Sequence, residues 1–315
     1  MTYSKLKLAL LTLLAGTTLF FTSCKKDDTS TDSKGQLNME ITDGPSDDPN
    51  VKAVFVTVAE VKVDGQTFSG FSSKKTINLM AYQQGNLAAL GLGDIDAGSH
   101  QSITLVLDAQ TDANGGSPGC YVQTLDNVKH ALSTTASQTI TLSKNFVVNA
   151  GAQTNLIVDF DLRKSIQYQN GGGSDQYDFV SAADLQAAVR VVVKSEVNNV
   201  GGTCQNSIVN TDKIVAYVYK KGQFNRTVEI QSTNGIAFKN AVASTIVNSN
   251  GEFKVAYLES GDYEIHFAAY KDLNSDDKLD FQGTLILNSL LDLENLHLTL
   301  EGNLQLGITV IGILP

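Results

Sequence analysis

Asp272, Asn274, Asp276, Lys278 and Asp280 recur at every second residue of one short stretch, Asp272-Leu-Asn-Ser-Asp-Asp-Lys-Leu-Asp280. That spacing suits Ca²⁺, which takes about six to eight hard oxygens at its surface. Positions 1, 3, 5 and 9 would offer carboxylate or amide oxygens, and position 7, Lys278, its backbone carbonyl. Position 6 of such loops is usually Gly; here it is Asp277, a residue that tolerates left-handed backbone better than most. Position 12, where an EF-hand carries a bidentate Glu, is Gly283, and the flanking 268–270 and 284–287 read as strands. The reading is therefore a calcium loop between strands. The alternative is an Asp/Asn-rich solvated turn.

Other candidates are weaker. Asp159 and Asp161 share one face of a strand by period two. A carboxylate pair of this kind can hydrolyse glycosides, but Asp161 as a helix cap and Asp159 paired with Arg163 or Arg190 is the simpler use of both. The acidic turn Asp43-Gly-Pro-Ser-Asp47-Asp48 reads as an Asx-turn before it reads as a cation site. His100, His130, His266 and His297 are widely separated and lack zinc-ligand spacing. No nucleophile elbow, Walker loop or dinucleotide fingerprint is present, which argues against an enzyme. Cys120 and Cys204 lie in Gly-rich segments; in an exported chain they would pair as a disulfide or remain two separate thiols.

Cys24 is a different case. Lys5 and Lys7 precede an uncharged apolar run from Leu8 to Phe21, 14 residues long. A bilayer-spanning helix needs about 20, so this run has the form of an export signal. Phe21-Thr-Ser-Cys24 resembles a lipobox. The resemblance implies cleavage after Ser23 and a covalently attached diacylglycerol and fatty acyl chain on Cys24, with the membrane as a partner through that lipid. Residues 25–34 hold no apolar side chain and cannot bury surface to offset ordering, so they form a flexible tether. Lys25-Lys-Asp-Asp28 looks like the signal that sends Bacteroidetes lipoproteins to the outer face of the outer membrane, with the periplasmic face as the alternative.

Removal of Lys5 and Lys7 with the leader takes the formal charge from −10 to −12. An acidic surface without a basic stripe excludes nucleic acid as an expected partner. Short runs rich in Val, Ile, Thr, Tyr and Phe alternate apolar and polar residues between Gly, Asn, Asp and Ser turns. They predict strands at 37–41, 53–63, 76–79, 102–107, 138–142, 154–162 and 185–197, then at 213–219, 241–248, 252–257, 263–270, 283–287, 296–300 and 304–310. Short helices are expected at 82–92 and 163–168. The turn-like Asn198–Ser207 marks a boundary. The fold class is all-β: two β-sandwich domains, immunoglobulin- or prealbumin-like, at 35–200 and 205–315, after a signal peptide at 1–23 and a lipidated tether at 24–34.

Two resemblances attach to these blocks. Gly35-Gln-Leu-Asn-Met-Glu-Ile-Thr-Asp43-Gly-Pro45, the strand 51–63, Thr76-Ile-Asn-Leu79, and Leu156-Ile-Val-Asp-Phe-Asp-Leu-Arg-Lys-Ser-Ile166 resemble domain-of-unknown-function family 4382 over about residues 35–197. The family pattern has Ala where this chain has Gly44. The family has no established activity, so the resemblance implies a fold and no mechanism. Asn250-Gly-Glu-Phe-Lys-Val-Ala-Tyr-Leu-Glu-Ser-Gly-Asp-Tyr263 resembles prealbumin-like or carboxypeptidase-regulatory-like sandwiches, which implies a spacer or binding domain. The expected function is a non-catalytic binding, adhesion or scaffold lipoprotein with an extracellular protein or glycan as partner. For a glycan, Tyr82, Tyr121, Tyr168 and Tyr177 would have to serve as stacking platforms, since the chain has no Trp.

Overall fold

The computed structural model describes residues 33–44, 51–132, 137–171, 174–231, 237–274, 279–300 and 302–315. The leader, Cys24, most of the tether, Asp47, Asp48, Asp276 and Lys278 lie outside the described residues.

The chain is all-β. Strands Val189–Val193, Gln153–Asp161, Lys34–Gly44 and Ala88–Asp96 form one sheet in that spatial order. Its two central strands run parallel, from Gln36 opposite Gln153 to Gly44 opposite Asp161. A second sheet orders Lys129–Ala131, Tyr121–Thr124, Val51–Val63, Gly98–Asp108 and Ser137–Val148. Period-two alternation puts Leu37, Met39, Ile41, Leu156, Val158 and Phe160 of the first sheet into one core with Val54, Val56, Val58, Ile103, Leu105 and Leu107 of the second. All twelve are at 0% exposure, so the core is closed from both faces. This is a β-sandwich. A hairpin, Ile166–Gly171 with Ser174–Phe179, extends from it.

A further sheet orders Ala243–Ile246, Lys213–Lys220, Gly261–Lys271, Asp280–Ser289, Leu304–Leu314, Val197–Gln205 and Glu252–Glu259, with Leu296–Leu298 beside the start of Gly261–Lys271. Its two outer strands are consecutive in the chain and meet through a turn closed by the Asn248 N–H to Glu252 carbonyl bond of 2.8 Å. The sheet thus rolls round a second core that includes Val200, Val218, Phe253, Ile265, Phe267 and Ile308. A smaller aromatic cluster, Tyr217, Tyr219, Tyr270 and Phe238, fills the outer face of Lys213–Lys220 and Gly261–Lys271.

Several expected elements differ. Residues 82–92 are no helix: Leu79–Tyr82 is a single 3-10 turn and Ala88–Asp96 is a strand. Gly93 permits this, because a Cβ there would sit 2.5 Å from Gly70 Cα, where a loop presses on the strand. The long strand expected at 185–197 is instead a helix at Ala182–Ala187 and a strand at Val189–Val193. Ser181 caps that helix by accepting from Asp184 N–H at 3.2 Å. The helix expected at 163–168 is one turn, Leu162–Ser165, and then the hairpin strand. Asn198–Gln205, read as turn chemistry, lies within the strand Val197–Gln205. Gly202 has φ +151°, and a Cβ there would meet the Leu306 carbonyl oxygen at 1.9 Å, so glycine marks close strand packing and not a turn.

The Cys120–Cys204 disulfide is not formed. Both are free, buried thiols, and they belong to different cores. Cys120 Sγ accepts the Thr57 N–H at 3.4 Å. Burial pushes both thiols up to about 11. Neither is a thiolate at neutral pH, so both should resist iodoacetamide in the native protein. Mass spectrometry is expected to show both alkylated without reductant once the chain is unfolded in urea, and a pair that alkylates only after reduction would contradict this.

Candidate functional site

The carboxylates singled out by period two, Asp159 and Asp161, lie at the end of strand Gln153–Asp161 where the sandwich meets the rolled sheet. Strand pairing sets the rest. Thr42 lies opposite Asp159 and Gly44 opposite Asp161 on one side, and Arg190 lies directly opposite Asp159 on the other. Arg190 Nε and Nη2 both donate to Asp159 Oδ2, at 2.8 and 2.5 Å. Asp161 Oδ2 takes the Arg163 guanidinium at 3.1 Å and the Lys164 ammonium at 3.4 Å. Burial alone would raise the Asp161 carboxyl, but Arg163 and Lys164 outweigh it and hold the group below its usual range.

Asp161 does occupy the N-cap position of the turn Leu162–Ser165, yet its side chain makes no cap bond. The free Leu162 N–H is taken instead by Asp43 Oδ1 at 3.2 Å, from the neighbouring parallel strand. Asp43 Oδ2 accepts from Gln83 Nε2 at 3.2 Å. Burial pushes Asp43 well above the carboxylate range, and Asp161 and Asp159 nearby add to the rise. The acidic turn therefore acts at Asp43 as a buried cap.

The cations continue across the junction. Arg163 Nη1 donates to the carbonyls of Ala237 and Phe238, each at 2.8 Å, and its guanidinium lies over the Tyr217 ring. Lys164 donates to the Ala241 carbonyl. Arg190 Nη1 donates to the Tyr257 carbonyl at 2.8 Å, and the Tyr257 hydroxyl returns a bond to the Gly85 carbonyl at 2.6 Å. Tyr257 sits at φ +60° in a bulge of strand Glu252–Glu259, a conformation a bulky residue adopts only where its surroundings impose it. Lys144 to Glu259 at 2.6 Å and Lys239 to Asp184 at 3.0 Å add two outer pairs. The cleft at the centre, lined by Asp43, Asp159, Asp161, Lys164, Arg190 and Tyr257, holds only about 60 Å³. That is space for about two waters and too little for a sugar ring between two working carboxylates. The sequence flagged both acids and named Arg190 and Arg163 as partners, but gave no signal for the accepting carbonyls or for Tyr257.

Of the calcium-loop candidates, Asp276 and Lys278 lie outside the described residues. Asp272 and Asn274 occupy the loop between Gly261–Lys271 and Asp280–Ser289, and Asp280 opens the second of these strands. There the Leu273 N–H reaches Asp280 Oδ2 at 3.4 Å and the Asp272 N–H reaches Asp212 Oδ2 at 3.0 Å. Among the described residues no group of three His, Cys, Asp or Glu is placed to hold a metal ion. The four histidines bond locally: His100 to Asp64, His130 to Thr124, His266 to Glu264 and His297 to Asp262. Tyr121 and Tyr177 are buried, and Tyr82 and Tyr168 are half-buried against the sandwich core, so none of the four offers an exposed ring.

A profile of the family described as domain of unknown function (DUF4382) matches residues 34–180. The match takes in the paired strands Lys34–Gly44 and Gln153–Asp161 with both Asp159 and Asp161, and stops short of the 197 expected from the sequence. No curated protein matches the chain. Among solved structures, the Bacillus anthracis TIE protein is 12% identical over 86% of this chain and 32% of its own, with a TM-score of 0.17. A streptococcal ancillary pilin is 12% identical over 90% of this chain and 63% of its own, TM-score 0.17. BcpA, the major pilin subunit of Bacillus cereus, is 11% identical over 88% and 70%, TM-score 0.22. The chain spans about a third of the first of these and under two thirds of the second.

Two measurements test the junction. Arg163→Ala strands a buried carboxylate and two carbonyls, and should cost about 3–5 kcal/mol in urea melts; a loss under 1 kcal/mol would show that the junction does not depend on it. The pH dependence has opposite signs for the two acids. The contribution of Asp161 is present above the ordinary carboxylate value and lost as pH falls through its depressed pKa. The deficit of Asp161→Asn at pH 7 should therefore shrink as pH falls below the ordinary carboxylate value. Asp43 favours the fold only while protonated, so its contribution fades as pH rises through its raised pKa. Asp43→Asn should flatten the decline in wild-type stability that sets in as pH rises past the ordinary carboxylate value.

Proposed function

We propose that the chain is a lipid-anchored surface protein, attached through Cys24, whose two all-β modules act as a non-catalytic binding, adhesion or scaffold unit. The observation that carries the non-catalytic part is the fate of the acid pair. Both carboxylates are committed to guanidinium and ammonium partners that reach across to the second module, and the small cleft between them supports the same reading. A panel of glycoside and ester substrates should show no turnover that Asp159→Asn or Asp161→Asn abolishes. Hydrolysis lost in either variant while the fold persists would overturn the reading.

The anchor rests on the lipobox resemblance and the polar tether behind it. Cells fed an alkyne fatty acid should label the wild-type protein and not Cys24→Ala, and protease added to intact cells should degrade the wild-type protein if it faces outward. The modules are taken as a family-4382 sandwich followed by a prealbumin-like one, a division supported by the separate cores. Calcium at Asp272, Asn274, Asp276, Lys278 and Asp280 is part of the same reading, supported by ligand spacing. Calorimetry on the chain from Ser33 onward should give heat with millimolar Ca²⁺ that is lost in Asp276→Ala; equal traces would remove calcium from the proposal.

A further inference from the structure

The described chain begins beside one end of the sandwich. The carbonyl of Ser33 accepts from the Ala97 N–H, and that of Lys34 from the Gly151 N–H at 2.9 Å. The neighbouring segments 99–101 and 145–155 line an open polar cleft together with Ser195 and Glu196. From Glu196 the chain passes directly into strand Val197–Gln205 of the rolled sheet. There Asn198 Nδ2 donates to the Thr299 carbonyl at 2.6 Å, and the Asn199 N–H to Asn303 Oδ1 at 2.9 Å. These bonds place the turn at 299–303 near the end where the chain begins. The turn at 290–295 belongs to the same end: it leads into Leu296–Leu298, which pairs with the first residues of Gly261–Lys271, and Leu293 accepts the Ile265 N–H at 2.9 Å.

These two turns carry apolar side chains that nothing in the fold covers among the described residues. Leu290 is fully exposed at 102%, Leu300 is 61% exposed and Leu291 45%. Three leucines on neighbouring turns are not required by the core, since the inner face is already filled by Leu285, Leu296 and Leu298.

We propose that Leu290, Leu291 and Leu300 form a membrane-contact surface that seats in the interfacial region of the bilayer holding the acyl anchor. The proposal rests on the Cys24 reading. The occupant follows from where the chain emerges: the nine residue steps from Cys24 to Ser33 extend to at most about 30 Å, so the end carrying Ser33 stays within reach of the bilayer. A lipid surface accepts isolated leucine tips flanked by polar residues, and their burial adds to acyl anchoring. Asp292 and Glu294, exposed in the same turn, bring no attraction to anionic headgroups, so the contact is apolar and insensitive to salt.

The chain has no Trp, so Leu290→Trp and Leu300→Trp each supply a single reporter. Leu125→Trp is the control: Leu125 is 60% exposed in the turn after strand Tyr121–Thr124, where Thr124 pairs with Val51, at the opposite end of strand Val51–Val63 from the side near Ser33. The lipidated full-length proteins are reconstituted into phosphatidylethanolamine–phosphatidylglycerol vesicles with and without lipids brominated high on the acyl chain. Expected is at least twofold quenching and a blue shift for Leu290→Trp and Leu300→Trp, unchanged between 50 and 500 mM salt, with none for Leu125→Trp. Protein that floats with vesicles but leaves both reporters unquenched would overturn the contact and keep the anchor. Protein that fails to float would overturn the anchor reading itself. A blue shift that appears without vesicles and grows with protein concentration would assign the leucines to self-association and also overturn the proposal.

Discussion

The position of the two β modules depends on one buried guanidinium. Arg163 has 1% of its side chain exposed, and both of its Nη groups donate to buried acceptors. Asp161 lies behind it, the Ala237 and Phe238 carbonyls ahead, and the Tyr217 ring beneath. A charge withdrawn from water costs several kcal/mol unless each proton finds an acceptor. The turn Leu162–Ser165 exists to aim it, and that turn in turn requires the Asp43 cap, because the Asp161 carboxylate is occupied by the cations. Burial pushes the Asp43 carboxyl well above the usual range, which weakens the charge it would otherwise bring beside Asp161. A chain of requirements thus runs from one arginine back to the second-to-last residue of a strand in the parallel pair.

The same arrangement opposes the use of these acids as a hydrolytic pair. A hydrolytic pair needs one carboxyl raised and free to give its proton, and a second ionised at a distance that admits water or a sugar. Here the raised acid is Asp43, whose two oxygens meet Leu162 N–H and Gln83, while Asp159 and Asp161 are held in ion pairs. A functional-site signature, perturbed carboxylates in a cleft, has arisen from structural ion pairing.

Much of this was legible in the sequence, and the failures have physical causes. Alternation of the kind in Leu37-Asn-Met-Glu-Ile41 and Ala53–Val63 identified strands because one face of each is buried and the other is not. Strand Ala88–Asp96 escaped because its Gly91 and Gly93 are there to admit Gly70, a contact between segments far apart in the chain. Val197–Gln205 escaped because Gly201 and Gly202 look like a turn when only local propensity is weighed, whereas the Leu306 backbone leaves no room for a side chain. The Asp159–Arg190 pair was foreseeable in kind, since a strand acid wants a strand base, but its register was not. The accepting carbonyls of Ala237, Phe238, Ala241 and Tyr257 carry no side-chain signal at all. The pairing of Cys120 with Cys204 failed because export chemistry says only that a disulfide is permitted, while burial in two different cores decides that it does not form.

Buried ion pairs are weak evidence for stability, since well-packed apolar residues often do as well. Their advantage is geometric. An apolar joint between a sandwich and a rolled sheet can slide by a side-chain width at little cost, because its contacts are interchangeable. Three cations donating to named carbonyls, with Tyr257 returning a bond at a strained φ, admit one register. The link 194–196 between the modules is too short to act as a hinge while Lys194 is held by Glu40 at 2.7 Å and Arg190 reaches across to Tyr257. The two modules therefore present their turns in a fixed relation, with Ser33 and the 299–303 turn at one end and the Leu125 turn at the other. That fixed relation makes the orientation of each module's surfaces to those of the other a property of the fold.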